Sequence, residues 1–562
     1  MKKVTFCFAV AAACLLAACA KKEAPVADAS GTAGVYYIQA LGGENTKSEV
    51  DNTSAAFSWS VGDQIAVYTS GGYKKSLALD AGGSASASFA FSEDIDADRA
   101  DFALFPASLV FDGSTVISSS AGAHSASGLT VTLPSEYSLS AIQDSKSPVP
   151  MIAANAPGGG LAFKQLGALL RIQVKNLPKQ TDYITFDFNG KKVQGAFTLT
   201  GVDPGTSALV TEAASAGDDV IKVYNDVFTT FQDAIVVNLP VPTGTYTDVT
   251  ITSWDSDDNK INALTTPIQA DANWVAARKG TRKRIASLPV FSISAEKKVV
   301  FAPGNLQATL STVAKSYSNG TEFWNASSWS FATNQYTAIG NTAVNTLANP
   351  AVGDVVDLFS WIGISKAFTG GEKYGILKVV STSGTSSYVG NTKGEAILFD
   401  WGGCEIDAFL PGTFYLLGSE DWNYMLKNAE RSSTRCVKVQ LTTGAGTING
   451  LVIFPDQFTN PLGAGFNSLN RTSTPFTDDS ITLADWAKLE SAGCVFLPAS
   501  GYRGYSDANV ILEESNLWYW TATAATDSGQ TFALDIYDGN ISHNKKTARY
   551  CGCAVRLVRD VN

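Results

Sequence analysis

Apolar and polar residues alternate with a period of two over much of the chain between Val35 and Pro289, as in SASASFAFS and GLTVTLP. The segment GALLRIQVKNLP shows the pattern well, because it places Leu170, Ile172 and Val174 on one face of an extended strand. Helical periodicity is weak in this stretch, and turn residues such as Gly62-Asp63 separate alternating segments. The pattern predicts short strands in sandwiches of antiparallel sheets.

The pattern changes at about Val290, after which two short helices are expected among strands. SEDWNYMLKNAERSS begins with Ser419 as the predicted N-cap, has acidic residues in its first turn and gathers apolar residues on one face. TLADWAKLESAG has Thr482 and Asp485 at the spacing of a capping box, and Gly493 is expected to end the helix. Apolar runs such as GLVIFP and CVFLPAS are typical of strands. This part of the chain is therefore predicted to be α+β.

Composition and charge narrow the class of protein. The chain has 562 residues, of which 45% are hydrophobic and 17% charged, so it can form several packed domains. Its formal net charge is −11 and its pI is about 4.9. A surface of that sign repels phosphate backbones, so we expect no nucleic-acid partner.

The amino terminus carries an export signal. Lys2 and Lys3 precede a short apolar run that ends in LAAC, which resembles a bacterial lipobox. That resemblance implies cleavage of residues 1–18 and lipidation of Cys19, with residues 19–34 as a polar tether. The alternative is an ordinary secretory signal with a chance cysteine. We expect a lipid-anchored protein of the cell outer membrane, exposed at the surface.

Cysteines and histidines give little support for catalysis or for a metal site. Cys551 and Cys553 lie two residues apart, and one of them could pair with Cys494, or both could pack as small hydrophobic side chains. The only histidines are His124 and His543, so a catalytic triad is not expected, and neither is zinc or another cofactor. Disulfides and buried thiols remain alternatives for the cysteines that follow the tether: Cys404, Cys436, Cys494, Cys551 and Cys553.

The first half of the chain resembles the fimbrillin-like surface proteins of Bacteroidetes. The motifs FSWSVGDQIAVY, FALFPAS, LPSEYSLSAIQDSKSPVPMIA and LAFKQLGALLRIQVKNLP carry the resemblance, in that order. It implies two transthyretin-like β-sandwich domains, residues 35–160 and 161–289, and export as a lipoprotein. It also implies pilin subunits as partners, which polymerise by strand exchange after proteolysis. No arginine precedes Arg99, so Lys47 is the nearest candidate for processing, and a place at a pilus tip fits the long C-terminal part.

Residues 290–562 resemble C-type-lectin-like modules related to the formylglycine-generating-enzyme fold. The motifs FSISAEKKVVFAPGNLQ, SEDWNYML, GLVIFPDQF, WAKLESAGCVFLPASGYR, WYWTAT and AVRLV carry this resemblance. The cysteines do not reproduce the copper-binding pair of the enzymes, so we expect no enzymatic activity. The calcium-ligand motifs of sugar-binding lectins are absent as well, so calcium-dependent sugar capture is not expected.

The aromatic segment WYWTAT is expected to belong to the core of that domain. Trp518 and Trp520 would share one face of a strand and Tyr519 the other. The resemblance places the ligand surface just beyond, in ATDSGQ, in YDGNISHNKK and at the edge around Arg503. The alternative for each residue is a solvated turn position. The candidate ligand-binding residues are Arg503, Asp527, Ser528, Gln530, Tyr537, Asp538, Asn540, His543 and Asn544.

The resulting prediction is a mainly β protein with an α+β part, namely two transthyretin-like β-sandwich domains followed by a C-type-lectin-like domain. The expected function is that of a surface adhesin, or ligand-binding lipoprotein, whose C-terminal domain binds a glycan or a protein, with a pilus tip as one setting. The alternatives are a structural pilus or envelope component without a specific ligand, and a carbohydrate-active enzyme.

Overall fold

The structure is a computed structural model. The described residues are 36–42, 49–50, 57–69, 72–83, 86–92, 102–107, 129–143, 151–156, 160–165, 168–200, 210–213, 217–227, 234–242, 246–270, 284–316, 322–340, 342, 351–361, 375–377, 401–403, 405–427, 435–463, 466, 476–504, 510–511, 513–525, 530–537, 540–549 and 551–561.

The N-terminal part is built on one seven-stranded sheet. The strands of this stretch of the chain, including those outside the large sheet, are β1 (Tyr36–Gly42), β2 (Glu49–Val50), β3 (Phe57–Ser58), β4 (Ala66–Thr69), β5 (Gly72–Lys75), β6 (Ser86–Phe91), β7 (Phe102–Phe105), β8 (Leu129–Leu133), β9 (Glu136–Ser138), β10 (Met151–Ala156) and β11 (Gly160–Gln165). The large sheet has the order β5-β4-β7-β10-β11-β1-β6. Trp59 anchors its core, with ring centroids of Phe89, Phe105 and Phe163 at 5.0 to 5.4 Å in edge-to-face contact.

The middle part is a two-layer β structure. It contains helix α1 (Leu139–Ile142) and strands β12 (Ala168–Lys175), β13 (Tyr183–Asp187), β14 (Gly195–Thr200), β15 (Val210–Ala213), β16 (Val220–Tyr224), β17 (Ala234–Val241), β18 (Tyr246–Trp254), β19 (Lys260–Ala270) and β20 (Arg284–Ser287). The sheet β17-β12-β20 packs on the sheet β19-β18-β13-β16-β9, and β8 joins β14 and β15 in a third sheet. Leu170, Ile172 and Val174 of β12 are buried in the shared core, as their alternation predicts.

The C-terminal part combines small sheets with two helices. Its helices are α2 (Ser419–Lys427) and α3 (Leu483–Ser491), with single 3₁₀ turns at Trp401–Gly403 and Phe476–Asp478. Its strands are β21 (Phe291–Ser292), β22 (Lys298–Phe301), β23 (Leu306–Ser316), β24 (Glu322–Phe331), β25 (Val355–Val356), β26 (Phe359–Ser360), β27 (Gly375–Leu377), β28 (Tyr415–Leu416), β29 (Cys436–Thr443), β30 (Gly446–Ile453), β31 (Ser480–Thr482), β32 (Val495–Pro498), β33 (Tyr502–Arg503), β34 (Val510–Ile511), β35 (Leu517–Ala524), β36 (Gln530–Tyr537), β37 (Asn540–Ala548), β38 (Gly552–Cys553) and β39 (Leu557–Asp560).

Together these elements confirm the mainly β, multi-domain fold class. The C-terminal part closes on itself, because its last strand, β39, pairs antiparallel with β22 near its start. Strands β8 and β9 precede β10 in the chain, yet they pair with strands of the middle part. The exact domain boundaries therefore stay a prediction. Among the described residues, no helix combines the length and apolarity that crossing a bilayer requires.

The sheet β35-β36-β37 lies between two cores. Trp518 and Trp520 pack on one side of it, and Tyr519 packs on the other side. Trp518 is 7% exposed and the other two rings are fully buried. Each such burial contributes on the order of 2–3 kcal/mol. The prediction that this aromatic segment belongs to the core is confirmed.

The two predicted helices are present. Thr482 and Asp485 form the expected capping box at the start of α3, with the Asp485 backbone N–H donating to Thr482 Oγ1 at 3.2 Å. Gly493 follows the helix with φ +85°, and a Cβ there would collide with Pro289. In α2, Ser419 is the first helical residue and not the N-cap. Asp421 accepts the Gly418 N–H at 2.8 Å instead.

The middle and C-terminal parts are joined by buried polar contacts. Arg559 of β39 lies with Nη1 3.7 Å from Asp255 Oδ2 and donates from Nη2 to the Lys260 carbonyl at 2.9 Å. The Lys179 N–H donates to the Val561 carbonyl at 3.0 Å. Because these contacts involve the last described strand, the end of the C-terminal part is fixed against the middle part.

Candidate functional site

The predicted ligand-binding residues are spread along the β36–β37 hairpin. Tyr537 and Asn540 are partners in the ladder at its tip, whereas Gln530 lies at the opposite end of β36 and pairs with Ala548. Seven residues separate the two ends of β36, which corresponds to about 24 Å of extended strand. Asn544 is exposed. The ligand-binding candidates Asp527, Ser528 and Asp538 lie outside the described residues, as do the lipidation candidate Cys19 and the processing candidate Lys47.

His543 lies beneath helix α2. Its Nε2 is 3.5 Å from Glu420 Oε1, and its side chain is 14% exposed. Burial lowers the pKa of His543 below its usual 6.5, and the nearby charge of Lys427 lowers it further, while Glu420 opposes both. A neutral imidazole held against a helix is placed for packing more than for contact with a ligand.

The structure corrects the expectation that Arg503 lies at the surface edge of a ligand site, because its side chain lies in the interior. The side chain is fully buried, and Nη1 donates to the Leu358 carbonyl at 3.2 Å. A Cβ on Gly552 would come within 2.7 Å of the guanidinium carbon, so this glycine makes room for it. Successive residues of a strand face opposite ways, and it is the preceding residue, Tyr502, that is partly exposed.

Tyr502 belongs to a group of side chains that we call the Trp518 cluster: Tyr502, Asn516, Trp518, Asp535 and Lys545. Trp518 and Asp535 are direct partners across β35 and β36. The ring centroids of Tyr502 and Trp518 are 4.5 Å apart with the planes tilted by 37°. Asn516 Nδ2 donates to Asp535 Oδ1 at 3.4 Å, and Lys545 Nζ lies 5.8 Å from the Trp518 ring centroid. Two aromatic rings thus adjoin a carboxylate, an amide and an ammonium group.

Some polar atoms of the cluster are buried without a partner. Among the described residues, Asn516 Oδ1 and Trp518 Nε1 have no hydrogen bond. Trp324, Trp422 and Trp486 also leave Nε1 unpaired, so the indole alone is not distinctive. The unpaired Asn516 acceptor beside a carboxylate is distinctive, because leaving such a group buried and unpaired costs about 1–3 kcal/mol.

The electrostatics of the cluster favour hydrogen-bond donors. Burial raises the pKa of Asp535, while the charge of Lys545 and the hydrogen bond from Asn516 oppose that rise. Burial also raises the pKa of Tyr502, and the charges of Cys551, Cys553 and Asp535 add to the effect. Tyr502 therefore stays neutral at physiological pH, and the buried Asp535 carboxylate is stabilised by its neighbours Lys545 and Asn516.

Four cysteines of the C-terminal part are free thiols. Cys436, Cys494, Cys551 and Cys553 are all free and buried, and Cys494 lies in a different core from Cys551 and Cys553. The suggested pairing with Cys494 is therefore wrong, and the buried-thiol alternative holds for these four. Cys404 lies outside the described residues. Within the described part of the chain, no group of three or more potential metal ligands is found.

A concave region lies between the middle and C-terminal parts. It has a volume of about 520 Å³ and is bordered by β19 and by Arg559. Two of its polar side chains donate hydrogen bonds within the protein: Asn262 Nδ2 donates to the Pro289 carbonyl at 2.7 Å, and Gln335 Nε2 donates to Glu490 Oε1 at 2.9 Å. Among the described residues that line it, none has a buried side-chain polar atom without a hydrogen bond, so we regard this cleft as a weaker candidate than the Trp518 cluster.

Sequence reasoning missed four members of the cluster, namely Tyr502, Asn516, Asp535 and Lys545. One signal was available: Asp535 interrupts the apolar segment FALDIY, in which a charged residue needs an explanation. Asn516 precedes the buried β35 in the same way. The link between them depends on the pairing of β35 with β36, which periodicity does not reveal.

Comparisons with known proteins give distant similarity. No protein-family model matches the chain, and no curated protein matches it either. Solved structures with partial likeness include a candidate cell adhesion protein from Bacteroides ovatus (11% identity, 42% of this chain and 86% of that chain, TM-score 0.25). A candidate cell adhesion protein from Bacteroides uniformis shows 17% identity, over 46% of this chain and 93% of that chain, with a TM-score of 0.24. A fimbrial protein from Bacteroides ovatus shows 12% identity, over 93% of this chain and 98% of that chain, with a TM-score of 0.20. The neighbours are thus cell adhesion and fimbrial proteins of Bacteroides, and likeness at this level does not assign the chain to a family.

Proposed function

We propose that this chain is a surface adhesin, a protein that binds an external ligand without chemical turnover through its C-terminal part. The observation that carries the proposal is the Trp518 cluster, in which the partly exposed ring of Tyr502 leans on Trp518 and the exposed Lys545 lies beside the same ring. Aromatic side chains flanked by a few polar groups are common at binding sites.

The remaining parts of the chain take supporting roles in this proposal. Residues 35–160 and 161–289 form a stalk of two fimbrillin-like β sandwiches, and residues 290–562 form a lectin-like binding domain. Cys19 carries the lipid that holds the protein in the outer membrane, and pilin subunits are partners if the chain occupies a pilus tip. Replacing Cys19 by serine in cells is expected to move the protein from the membrane pellet to the soluble fraction. Continued membrane association of that variant would exclude the lipid anchor.

The binding function is tested with cells that display the full-length chain. They are applied to panels of immobilised glycans and host proteins, and Asp535→Asn is compared with the wild type. The control is Glu405→Gln, which neutralises an exposed carboxylate elsewhere in the C-terminal part. We expect saturable adhesion that Asp535→Asn reduces and Glu405→Gln preserves. A wild type that adheres to no member of either panel would contradict the adhesin function and favour a purely structural component.

A further inference from the structure

We propose that the outer face of the middle part binds an arginine-rich polypeptide segment, with a guanidinium group stacked on the ring of Trp254. The site is a row of three aromatic side chains that we call the Tyr183 stripe: Tyr224, Tyr183 and Trp254. This inference does not depend on the ligand site proposed in the C-terminal part.

The Tyr183 stripe crosses three neighbouring strands of one sheet. Tyr183 of β13 is paired directly with Tyr224 of β16 on one side and with Trp254 of β18 on the other. Ile184 and Phe186 of β13 point into the core of the middle part, so Tyr183 points to the opposite, outer face of the sheet. Because adjacent strands lie about 4.8 Å apart, the three rings form a row about 10 Å across.

The rings of the stripe are held in fixed positions. Tyr183 Oη donates to Asp258 Oδ1 at 2.7 Å, and Trp254 Nε1 donates to Thr185 Oγ1 at 2.9 Å. The planes of the Tyr183 and Trp254 rings differ by 11°, with 5.9 Å between their centroids. Tyr183 is 8% exposed, whereas Trp254 and Tyr224 are partly exposed on either side of it. A partner therefore meets ring surfaces that cost little conformational entropy to order.

The stripe already holds one cation from its own sheet. Lys222 Nζ lies 3.7 Å from the centroid of the Tyr183 ring and 4.4 Å from that of the Tyr224 ring. Tryptophan attracts a cation to its face more strongly than tyrosine does. Among the described residues, no cation lies over the ring of Trp254. The ring with the strongest attraction for a cation is therefore left to a partner.

The charges around the stripe favour a basic partner. Exposed carboxylates either lie within four residues of its rings in the chain or bond to them: Glu136, Asp182, Asp226, Asp257 and Asp258. These five outnumber the two nearby lysines, Lys222 and Lys260, and the whole chain has a net charge of −11. A cationic segment is therefore attracted to this face, and an anionic one is repelled.

The titration of Tyr183 is consistent with a negative potential at the stripe. Burial raises the pKa of Tyr183, and the hydrogen bond to Asp258 and the charges of Asp258 and Asp182 raise it further. The same charges would stabilise a cation placed against the neighbouring rings.

Arginine fits this surface better than lysine does. Its planar guanidinium group stacks on an aromatic face and can donate two parallel hydrogen bonds to one carboxylate. Trp254 supplies the face, and the exposed Asp257 and Asp258 lie in the turn that follows it. A segment with several arginines combines stacking on the ring with ion pairs to the surrounding carboxylates.

The experiment measures the fluorescence anisotropy of labelled oligoarginine mixed with the purified full-length chain, with oligolysine and oligoglutamate of the same length for comparison. Trp254→Leu removes the ring, and Trp329→Leu, at another partly exposed tryptophan, is its control. Asp258→Asn removes a charge but keeps an oxygen for Tyr183, and asparagine tolerates the φ of +61° at this position. Glu405→Gln makes the same change of net charge in the C-terminal part. Circular dichroism melting shows that each variant folds.

Lys222→Met tests the stripe through a gain of binding. The substitution keeps an unbranched side chain but frees the ring faces of Tyr183 and Tyr224 from their cation. Lys488→Met, at an exposed lysine of α3, changes the net charge equally. We expect Lys222→Met to bind oligoarginine several-fold more tightly than Lys488→Met does. A stripe with a purely structural role predicts no such difference.

We expect oligoarginine to bind more tightly than oligolysine, oligoglutamate not to bind, and added salt to weaken the binding. Trp254→Leu should weaken oligoarginine binding about fivefold and Asp258→Asn several-fold, while Trp329→Leu and Glu405→Gln leave it unchanged. If folded Trp254→Leu binds oligoarginine as the wild type does, the attraction is only that of the net charge and the site is wrong. Tighter binding of oligoglutamate, or no binding of oligoarginine at all, would also overturn the proposal.

Discussion

The ion pair between Arg559 and Asp255 offers a sharp test of how the middle and C-terminal parts are joined. Asp255 Oδ1 accepts the backbone N–H groups of Asp257 and Asn259 at 3.1 and 2.9 Å, while Oδ2 lies 3.7 Å from Arg559 Nη1. Asp255→Asn can keep both turn hydrogen bonds on Oδ1 and replace Oδ2 with an amide donor that faces the guanidinium group. The substitution therefore removes the ion pair with little other change.

The expected loss of stability follows from burial and from what remains. The side chains of Arg559 and Asp255 are 4% and 15% exposed, so the charges are poorly screened. Breaking a fully buried pair costs about 3–5 kcal/mol. Here Arg559 keeps its hydrogen bond to the Lys260 carbonyl at 2.9 Å and the distance to Asp255 is long, so we expect about 2 kcal/mol. Burial lowers the pKa of Arg559 to about 10, so it stays charged at neutral pH.

Differential scanning calorimetry of the full chain measures this effect. A loss of about 2 kcal/mol should lower the melting temperature of the affected transition by roughly 4–8 °C. Asp257→Asn, in the same turn but exposed, is the control and should change it little. The double variant Asp255→Asn, Arg559→Met should be less destabilised than Asp255→Asn alone, because it leaves no buried unpaired charge. An Asp255→Asn variant as stable as Asp257→Asn would refute the reasoning.

Three further predictions concern the C-terminal part. Thr482→Ala removes the cap of α3 and should cost about 1 kcal/mol in urea denaturation, with Thr447→Ala, an exposed threonine, as the comparison. The pKa of His543 is lower in the folded chain than in the unfolded chain, so below about pH 6.5 the unfolded chain binds a proton at this residue more readily than the folded chain does. The stability of the fold should therefore decline below that pH. In melting experiments at different pH values, His543→Gln should reduce this part of the decline. Asp535 has a raised pKa, so ligand binding should weaken on acidification earlier than it would with an ordinary carboxyl group, while Tyr502, whose pKa is also raised, stays neutral. A binding curve that stays flat down to pH 4 would exclude a role for the charge of Asp535.

The sequence predicted the parts of the fold that depend on local pattern. Leu170, Ile172 and Val174 share a core because alternation in a strand is a backbone property, and the capping box at Thr482 forms because its hydrogen bonds are local. The start of α2 was misplaced by one residue, since Asp421 and not Ser419 supplies the hydrogen bond at its first turn.

The candidate site was harder to predict because it depends on contacts between distant segments. Periodicity shows that Tyr502 and Arg503 face opposite ways but not which of them is buried, and the buried one was chosen. Asp535 meets Asn516 only through the pairing of β35 with β36. The cysteines could not be assigned for the same reason, since they lie in separate cores.

The pairing of β22 with β39 would have a mechanical consequence in the proposed adhesin. If the N-terminal end is anchored and the C-terminal part holds a ligand, as we propose, tension between them enters the C-terminal part near β22, whose antiparallel neighbour is β39. Strands pulled lengthwise past each other must break their hydrogen bonds together, whereas strands peeled from one end break them one at a time. Arg559 and Val561 also tie β39 to the middle part, so part of the load bypasses the covalent connection through residues 288–290. The arrangement favours resistance to a steady pull, as flow over a cell surface would exert.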